Sequence, residues 1–407
     1  MLMPFKNLQK LFQYSWLFVP LLLLKGVIWT FNKSNGSTNL YAYQAESFLH
    51  ENFALQETPT KLPGETIEYK GHIYSPFPPF PAILLTPFVA IFGRQELRTY
   101  WITILMAVLT SFTLYRILIK LELSQTTIAW VLTGFFLGTG YWQVFRSSEW
   151  VWMFAQITAV LFSLLAIYES MHTGRGWLAG FWLGAAFLSR QLSILLALFI
   201  LVILWKKQAK QKHVLNAIGF LVTISFSVAT YMGFNYYRFN TIGSGYELMN
   251  YAAYGGPGNF LGLRVEQYGV FNPAYFLFNV YHMFIQGYHI DFIGETMLNY
   301  GGVSRFGTSL LAASPFVIAA FRAKEEKPII AGAWISIITT LLVSLFYHNN
   351  GYIQYNAQRF SLDFLPALII LVGLGFKNSS QELYAYWKGM IIYAILLNVM
   401  TNFLPVV

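Results

Sequence analysis

The chain alternates long apolar segments with short polar joints, and that alternation leaves few folds open. A helix needs about 20 apolar residues to cross a bilayer, and in hydrocarbon it must satisfy its own backbone hydrogen bonds. Segments of this kind are expected at 12–31, 99–119, 125–143, 151–169, 176–189, 191–205, 214–234, 306–321, 329–347, 361–376 and 389–405. The expected fold is an all-α polytopic membrane protein of about eleven transmembrane helices with outer juxtamembrane helices. The pair 176–189 and 191–205 is short on both sides of Arg190, and reads equally as one long tilted helix. Only 11% of the residues are charged, where a soluble domain carries about 25%. The first segment contains Lys25, is too long for a signal core and lacks a small-residue cleavage site, so it is expected to be an uncleaved helix.

Charge sets the sides. The formal net charge is +9, and cytoplasmic loops of membrane proteins collect Lys and Arg. No nucleic-acid motif accompanies the excess. The stretch 79–93 is apolar but short, begins with prolines and contains Pro87. If it lies flat on the outer surface, 11 of the 15 lysines fall on inner loops. If it crossed, the Lys206, Lys207, Lys210 and Lys212 run would face outward. It is therefore expected as an outer juxtamembrane helix, and 273–290 as an outer interfacial one. The same topology puts 12 of 17 acids outside. One membrane domain over 1–407 results, with outer loops at 32–98 and 235–305.

The outer loops hold the candidate chemistry. Tyr41, Ala45 and Phe48 share a helical face, and Glu46 lies beside that stripe. A partly desolvated carboxylate at a membrane interface serves as a general base; a solvated surface carboxylate is the plainer reading. Glu149 begins a helix, where an acid suits the dipole, or else faces the site as a second acid. Arg190 interrupts an apolar run and is costly unless paired or interfacial. Arg359 and Asp363 are spaced for an ion pair at i, i+4. Arg359 with Tyr355 is alternatively suited to a lipid phosphate. The chain has no cysteine, which excludes thiolate chemistry and Cys-ligated zinc. No two of His50, His72, His282, His289 and His348 have metal-site spacing, although a metal held between loops stays open. No phosphate-binding glycine loop is present. An outward-facing enzyme meets no cytosolic nucleotide donor, so a transferred group would arrive on a lipid.

The order of motifs resembles the C-type (GT-C) membrane glycosyltransferases, which include protein mannosyltransferases and bacterial aminoarabinose transferases. The stretch around Tyr41-Ala42-Tyr43-Gln44-Ala45-Glu46 is similar to the acid-bearing segment of the first outer loop. GHIYSPFPPFPAILLTPFVAIFG, with Gly71, Tyr74, Pro78, Pro79 and Pro87, is similar to the juxtamembrane segment. GWLAGFWLGAAFLSRQ, FNYYRFNTIGSGYE and IQYNAQRFSLDFLPALIIL resemble later family patterns in the same order. Where the family usually carries an Asp after the first helix, this chain has Ser37, Thr38 and Asn39.

The resemblance implies transfer of one sugar, with inversion, from a polyprenyl-phosphate donor to a glycan, lipid or protein acceptor. It implies Glu46 as base and Glu149 as the acid of the second outer loop. Arg190, Arg359, Tyr355, Tyr74 and His72 would bind substrate or lipid phosphate. No cofactor and no nucleic-acid partner is called for. The site would face outward from a bacterial or archaeal plasma membrane. A flippase for lipid-linked glycans needs polar residues at the membrane midplane, and few are found. A non-catalytic assembly subunit is the remaining alternative.

Overall fold

Glycine spacing decides how closely two helices of this chain approach. The computed structural model describes residues 39–57, 59, 65–206, 210–249, 260–303, 306–349 and 358–400. The expected helix at 12–31, with Lys25, lies outside the described residues, as does Tyr355. In chain order the elements begin with α1 (Leu40–Leu49), β1 (Ile67–Tyr69), β2 (His72–Tyr74) and α2 (Phe80–Phe92). The bundle continues with α3 (Thr99–Lys120), α4 (Gln125–Leu137), α5 (Gly140–Arg146), α6 (Val151–His172), α7 (Gly176–Phe187), α8 (Ala197–Lys206) and α9 (Lys210–Phe239). After it come α10 (Phe260–Tyr268), α11 (Phe276–Val280), β3 (Ile290–Ile293) and β4 (Asn299–Val303). The last helices are α12 (Leu310–Ala313), α13 (Lys327–Leu345), α14 (Leu365–Lys377) and α15 (Gln381–Met400).

Gly176, Gly180 and Gly184 repeat at i, i+4 and line the face of α7 that meets α9. A Cβ at Gly180 would lie 2.0 Å from Thr223 Oγ1 and 2.6 Å from the Phe220 carbonyl oxygen. Small residues at this spacing let helix backbones touch, the usual solution where lipid offers no hydrophobic drive for association. Around this pair α6 is the most deeply buried long helix. The outer faces of α3, α9 and α13 expose Trp101, Leu105, Val222, Phe226, Ile335 and Leu342. A soluble monomer does not leave apolar surface of that extent in water. By length and composition α3, α6, α13 and the stretch His213–Phe239 can cross a membrane. The chain is an integral membrane protein.

Several expected spans are broken, each for a local reason. The segment 125–143 divides into α4 and α5 at Gly138 and Thr139. Thr139 caps α5 by accepting from the Tyr141 amide, and Ser314 Oγ donates to the Gly138 carbonyl released there. Pro315 divides 306–321 into α12 and a 3-10 segment, Pro315–Arg322. Arg190 is extended, with φ −146° and ψ 115°, so 176–189 and 191–205 are separate helices and not one tilted one. The stretch 191–205 itself starts as a 3-10 turn, Gln191–Leu196.

The all-α expectation misses two antiparallel hairpins, β1–β2 and β3–β4. In the first, Ile67 pairs with Tyr74 and Tyr69 with His72. Lys70 and Gly71 form its tip with φ of 50° and 77°, the left-handed pair that suits the twist of a two-residue hairpin. The interfacial helix expected over 273–290 ends at Ile285, and the chain runs extended into β3. Asn279 Nδ2 donates to the carbonyls of Leu345 and Tyr347 and fastens this region to the end of α13. The juxtamembrane helix expected at 79–93 is α2, with Pro87 inside it.

Candidate active site

Arg116, Lys120, Arg175, Lys324 and Lys377 mark one end of the bundle. Lys377 Nζ donates to the Leu121 carbonyl at 2.8 Å, and Asn378 Nδ2 to that of Lys324. Arg175 pairs with Glu169 at the joint between α6 and α7. The opposite end holds the ends of α7, α9 and α13, the start of α14, and α1 with the β1–β2 hairpin.

At that opposite end, the segment between β2 and α2 is threaded into the protein. Ser75, Pro76, Phe77, Pro78 and Pro79 are all buried. The Phe80 amide donates to the Leu188 carbonyl, tying the start of α2 to the end of α7. Arg238 Nη1 donates to the Ser75 carbonyl, tying the hairpin to the end of α9. Phe77 lies edge-on to Trp152 and Tyr246, with centroids 6.2 and 6.0 Å away.

The central feature is a charge pair that connects distant parts of the chain. Arg190 Nε and Nη2 donate to Asp363 Oδ1 and Oδ2 at 2.7 and 2.6 Å. The Asp363 side chain is 2% exposed and that of Arg190 17%. This parallel, two-pronged contact is the strongest form of the Arg–carboxylate pair. The expected Arg359–Asp363 pair does not form. The spacing i, i+4 suits an α-helix, but Arg359–Asp363 is a 3-10 helix, whose three-residue turn swings the two side chains apart. Arg359 instead lies over the Phe360 ring at 4.5 Å, and its carbonyl accepts from Gln156 Nε2 of α6.

Tyrosines surround the pair. Arg190 acts electrostatically on the phenols of Tyr41, Tyr246 and Tyr347, and Asp363 on that of Tyr347. Burial raises the Tyr246 phenol well above its usual value, more than Arg190 opposes it, and does the same for Tyr41 and Tyr347. These phenols therefore stay protonated and act as neutral donors. Gln191 Nε2 donates to the Tyr231 hydroxyl at 2.9 Å. An arginine edge ringed by phenol donors in an apolar bundle is suited to an anionic oxygen such as a phosphate.

The two expected acids lie on either side of the segment that joins α2 to α3. Glu46, on α1, has an ion-pair partner: its Oε2 accepts from Arg94 Nε at 2.7 Å. Arg94 also donates to Glu57 and stacks over the Tyr43 ring at 4.0 Å. Glu149 accepts from Thr99 Oγ1 and from the Tyr100 amide, both at 2.7 Å. Both its oxygens cap the start of α3, where Arg98 makes no side-chain cap of its own. The dipole served is that of α3, not of the helix that Glu149 precedes. His72 and Tyr74 line a separate cleft beside Arg238. Among the described residues no cluster of His, Asp and Glu could hold a metal.

Sequence reasoning did not single out Arg94, Tyr246, Tyr347 or Arg238. Arg238 and Tyr246 both stand in FNYYRFNTIGSGYE, so the motif itself was their signal. Glu65, before β1, is a further carboxylate that no sequence pattern distinguished. Burial pushes its carboxyl up to about 7, in the range of a working general base.

Residues 77–232 match the model of the dolichyl-phosphate-mannose-protein mannosyltransferase family. No curated protein sequence matches the chain. The fold is similar to the crystal structure of ArnT from Cupriavidus metallidurans bound to undecaprenyl phosphate. The TM-score is 0.51 at 15% identity, over 93% of this chain and 63% of that one. The chain therefore spans less than two thirds of that neighbour's length. The Archaeoglobus fulgidus oligosaccharyltransferase in its apo form aligns over 96% of this chain and 55% of its own, with TM-score 0.45 and 14% identity. By the match over residues 77–232 and by its fold, the chain is of the GT-C type, the fold class of the membrane glycosyltransferases.

Proposed function

We propose that the chain transfers a single sugar, with inversion, from a polyprenyl-phosphate donor to an acceptor at the outer face of the membrane. The observation that carries this reading is the Arg190–Asp363 pair with its ring of phenols at the acid-rich end of a GT-C bundle. The matched mannosyltransferase model and a fold neighbour crystallised with undecaprenyl phosphate support a lipid-linked donor. The lysines of the other end, Lys120, Lys324 and Lys377 among them, support an outward site by the positive-inside rule, in a bacterial or archaeal plasma membrane. The reading keeps about eleven crossings, with α2 lying on the outer surface.

In this mechanism a base removes the proton from the acceptor hydroxyl. The oxygen forms its bond to the anomeric carbon as the carbon–oxygen bond to phosphate breaks. One displacement inverts that carbon. The remaining edge of Arg190, with Arg359, meets the charge on the departing phosphate, where fixed donors count most. Asp363 orients Arg190. Glu46 is the base: Arg94 fixes its position through Oε2, and Oε1 makes no hydrogen bond among the described residues. Tyr355, outside the described residues, is assigned to the carrier by the resemblance alone. Glu149 holds the start of α3 in place.

The test is transfer of radiolabelled sugar from a panel of polyprenyl-phosphate sugars, in membranes carrying wild type or Glu46→Gln at equal expression. Transfer by wild type that Glu46→Gln abolishes is the expected result. Transfer that survives moves the base to Glu65. No transfer from any donor overturns the reading in favour of a flippase or an assembly subunit.

A further inference from the structure

The β3–β4 hairpin carries an apolar tip that the described residues leave uncovered. Ile290 pairs with Val303 and Ile293 with Asn299, so 294–298 close the hairpin. Phe292, Ile293, Met297 and Leu298 are all exposed. Leu298, at 80%, is the most exposed large apolar side chain among the described residues. We infer that this tip is an interfacial membrane anchor, seated in the headgroup layer of the bilayer leaflet nearest Arg190. The inference rests on the membrane location of the chain and not on the transfer reaction.

Stability is the first argument. A two-stranded hairpin is marginal in water unless something packs on it. β3 and β4 pack chiefly on each other. The residues of the tip are also the wrong ones for water. A solvated turn draws on Gly, Asn, Asp, Ser and Pro, whereas 294–298 read Gly-Glu-Thr-Met-Leu. Glu295 is the one charged residue of 292–298. Gly294 and Met297 hold left-handed φ angles of 88° and 53°. Glycine takes that conformation freely, asparagine readily and methionine at a cost. Methionine there turns a long, flexible apolar side chain outward.

Continuity with the lipid-facing surface identifies what covers the tip. Leu277, Tyr281 and Ile285 follow one another at four-residue spacing on α11 and the π-helical turn Tyr281–Ile285, and all three are exposed. Asn279 fastens α11 to the end of α13, and Phe276 stacks on Phe346 at 5.6 Å. On α13 the exposed residues are Ile335, Ile338 and Leu342. The stripe thus starts where the bilayer-facing side of α13 ends. It leads to the feet of the hairpin, where Gln286 bonds to Gly307 and Ser309. Tyr347, the other residue held by Asn279, lies close enough to Arg190 to feel its charge, which fixes the leaflet. A partner protein seated on the tip would not account for this continuity.

Hydrogen bonding sets the depth. Among the described residues the outer edges of β3 and β4 have no neighbouring strand. Hydrocarbon does not tolerate such an edge, because its amides and carbonyls would stay unpaired. Water and headgroups satisfy them at the interface, while the apolar side chains reach about 5–10 Å into the acyl boundary. Tyr281, Tyr288 and Tyr300 stand around the feet of the hairpin, the residue type that suits the headgroup layer. Glu295 and Thr296 stay among the headgroups.

Site-directed spin labelling of the full chain tests this. The chain has no cysteine, so each introduced one carries the only nitroxide. The variants are Leu298→Cys in the tip, Leu342→Cys on the lipid face of α13 and Gln56→Cys at an exposed polar position. Each is placed in nanodiscs of phosphatidylethanolamine and phosphatidylglycerol. Collision of the label with oxygen, which concentrates in lipid, is compared with collision with a water-soluble nickel chelate. The ratio for Leu298→Cys is expected to fall closer to that of Leu342→Cys, with oxygen favoured, than to that of Gln56→Cys. Met297→Cys should give the same order. A Leu298→Cys label that ranks with Gln56→Cys places the tip in water and overturns the inference. A label shielded from both reagents reports a protein cover and overturns it as well. Leu298 is exposed, so its substitution removes no packing, and an unchanged size-exclusion profile verifies the fold. No sugar transfer enters the measurement, so a failed transfer assay leaves this test intact.

Discussion

At the scale of single residues, the chain's unusual charges are explained by partners far away in sequence. Arg190 and Asp363 are 173 positions apart. Removing either partner leaves the other buried without compensation, which costs about 3–5 kcal/mol. Arg190→Gln and Asp363→Asn should therefore each lower the melting temperature in detergent sharply. The double variant should recover part of the loss, because neither charge is then stranded. Additive losses in that cycle would contradict the pairing. Glu149 predicts a milder result. As a cap on α3, Glu149→Gln should cost about 1 kcal/mol and leave sugar transfer measurable. Abolished transfer at an unchanged melting temperature would move Glu149 into the chemistry.

At the scale of elements, the contact between α7 and α9 depends on glycine. A methyl group at Gly180 meets backbone as well as side-chain atoms, so the helices must separate. Overpacking of this kind costs about 1–3 kcal/mol or more. Gly180→Ala should give a less stable, aggregation-prone protein on size exclusion. Gly233, also on α9, faces open space. Gly233→Ala there should be neutral or stabilising, since alanine gains about 1 kcal/mol over glycine in a helix. Equal behaviour of the two variants would mean the helices are not held this closely. The consequence reaches function, because Arg190 follows α7 by three residues and Arg238 stands in the last turn of α9.

At the scale of the whole molecule, the end that holds Arg190 combines buried charge with buried neutral histidine. Burial first, and then nearby Arg264, lower His282 to about 4, against a weaker opposing hydrogen bond from Gln286. Burial likewise lowers His348 to about 4, with Arg264 adding to it and a backbone hydrogen bond to Val270 opposing it. Arg264 lies between the two regions, since its Nη1 donates to the His348 carbonyl. An unfolded histidine titrates near 6.5. Between pH ~6.5 and ~4 the unfolded chain thus binds more protons than the folded one, and stability rises with pH. The stabilisation is full above ~6.5 and is lost as pH falls towards ~4. Each histidine accounts for a loss on the order of 1–3 kcal/mol. Thermal melts from pH 7.5 to 4.5 should show this fall, and His282→Gln should flatten it. A flat wild-type profile would exclude the buried neutral state.

The sequence by itself determined the class of this protein. Apolar length and scarce charge require a membrane, and the lysine pattern separates the two ends, because both effects depend on composition along the chain and not on contacts. It also marked α2, the stretch that holds the glycines of α7 and the motif that contains Arg238 and Tyr246. The tertiary structure alone decided the pairings. Asp363 takes Arg190 and not Arg359, because a 3-10 turn replaces the α-helical one that the spacing assumed. Glu46 takes Arg94, and Glu149 caps a helix it does not belong to. Such choices depend on which helix ends meet in space, and helix packing settles that from side chains too distant in sequence for any local pattern to register.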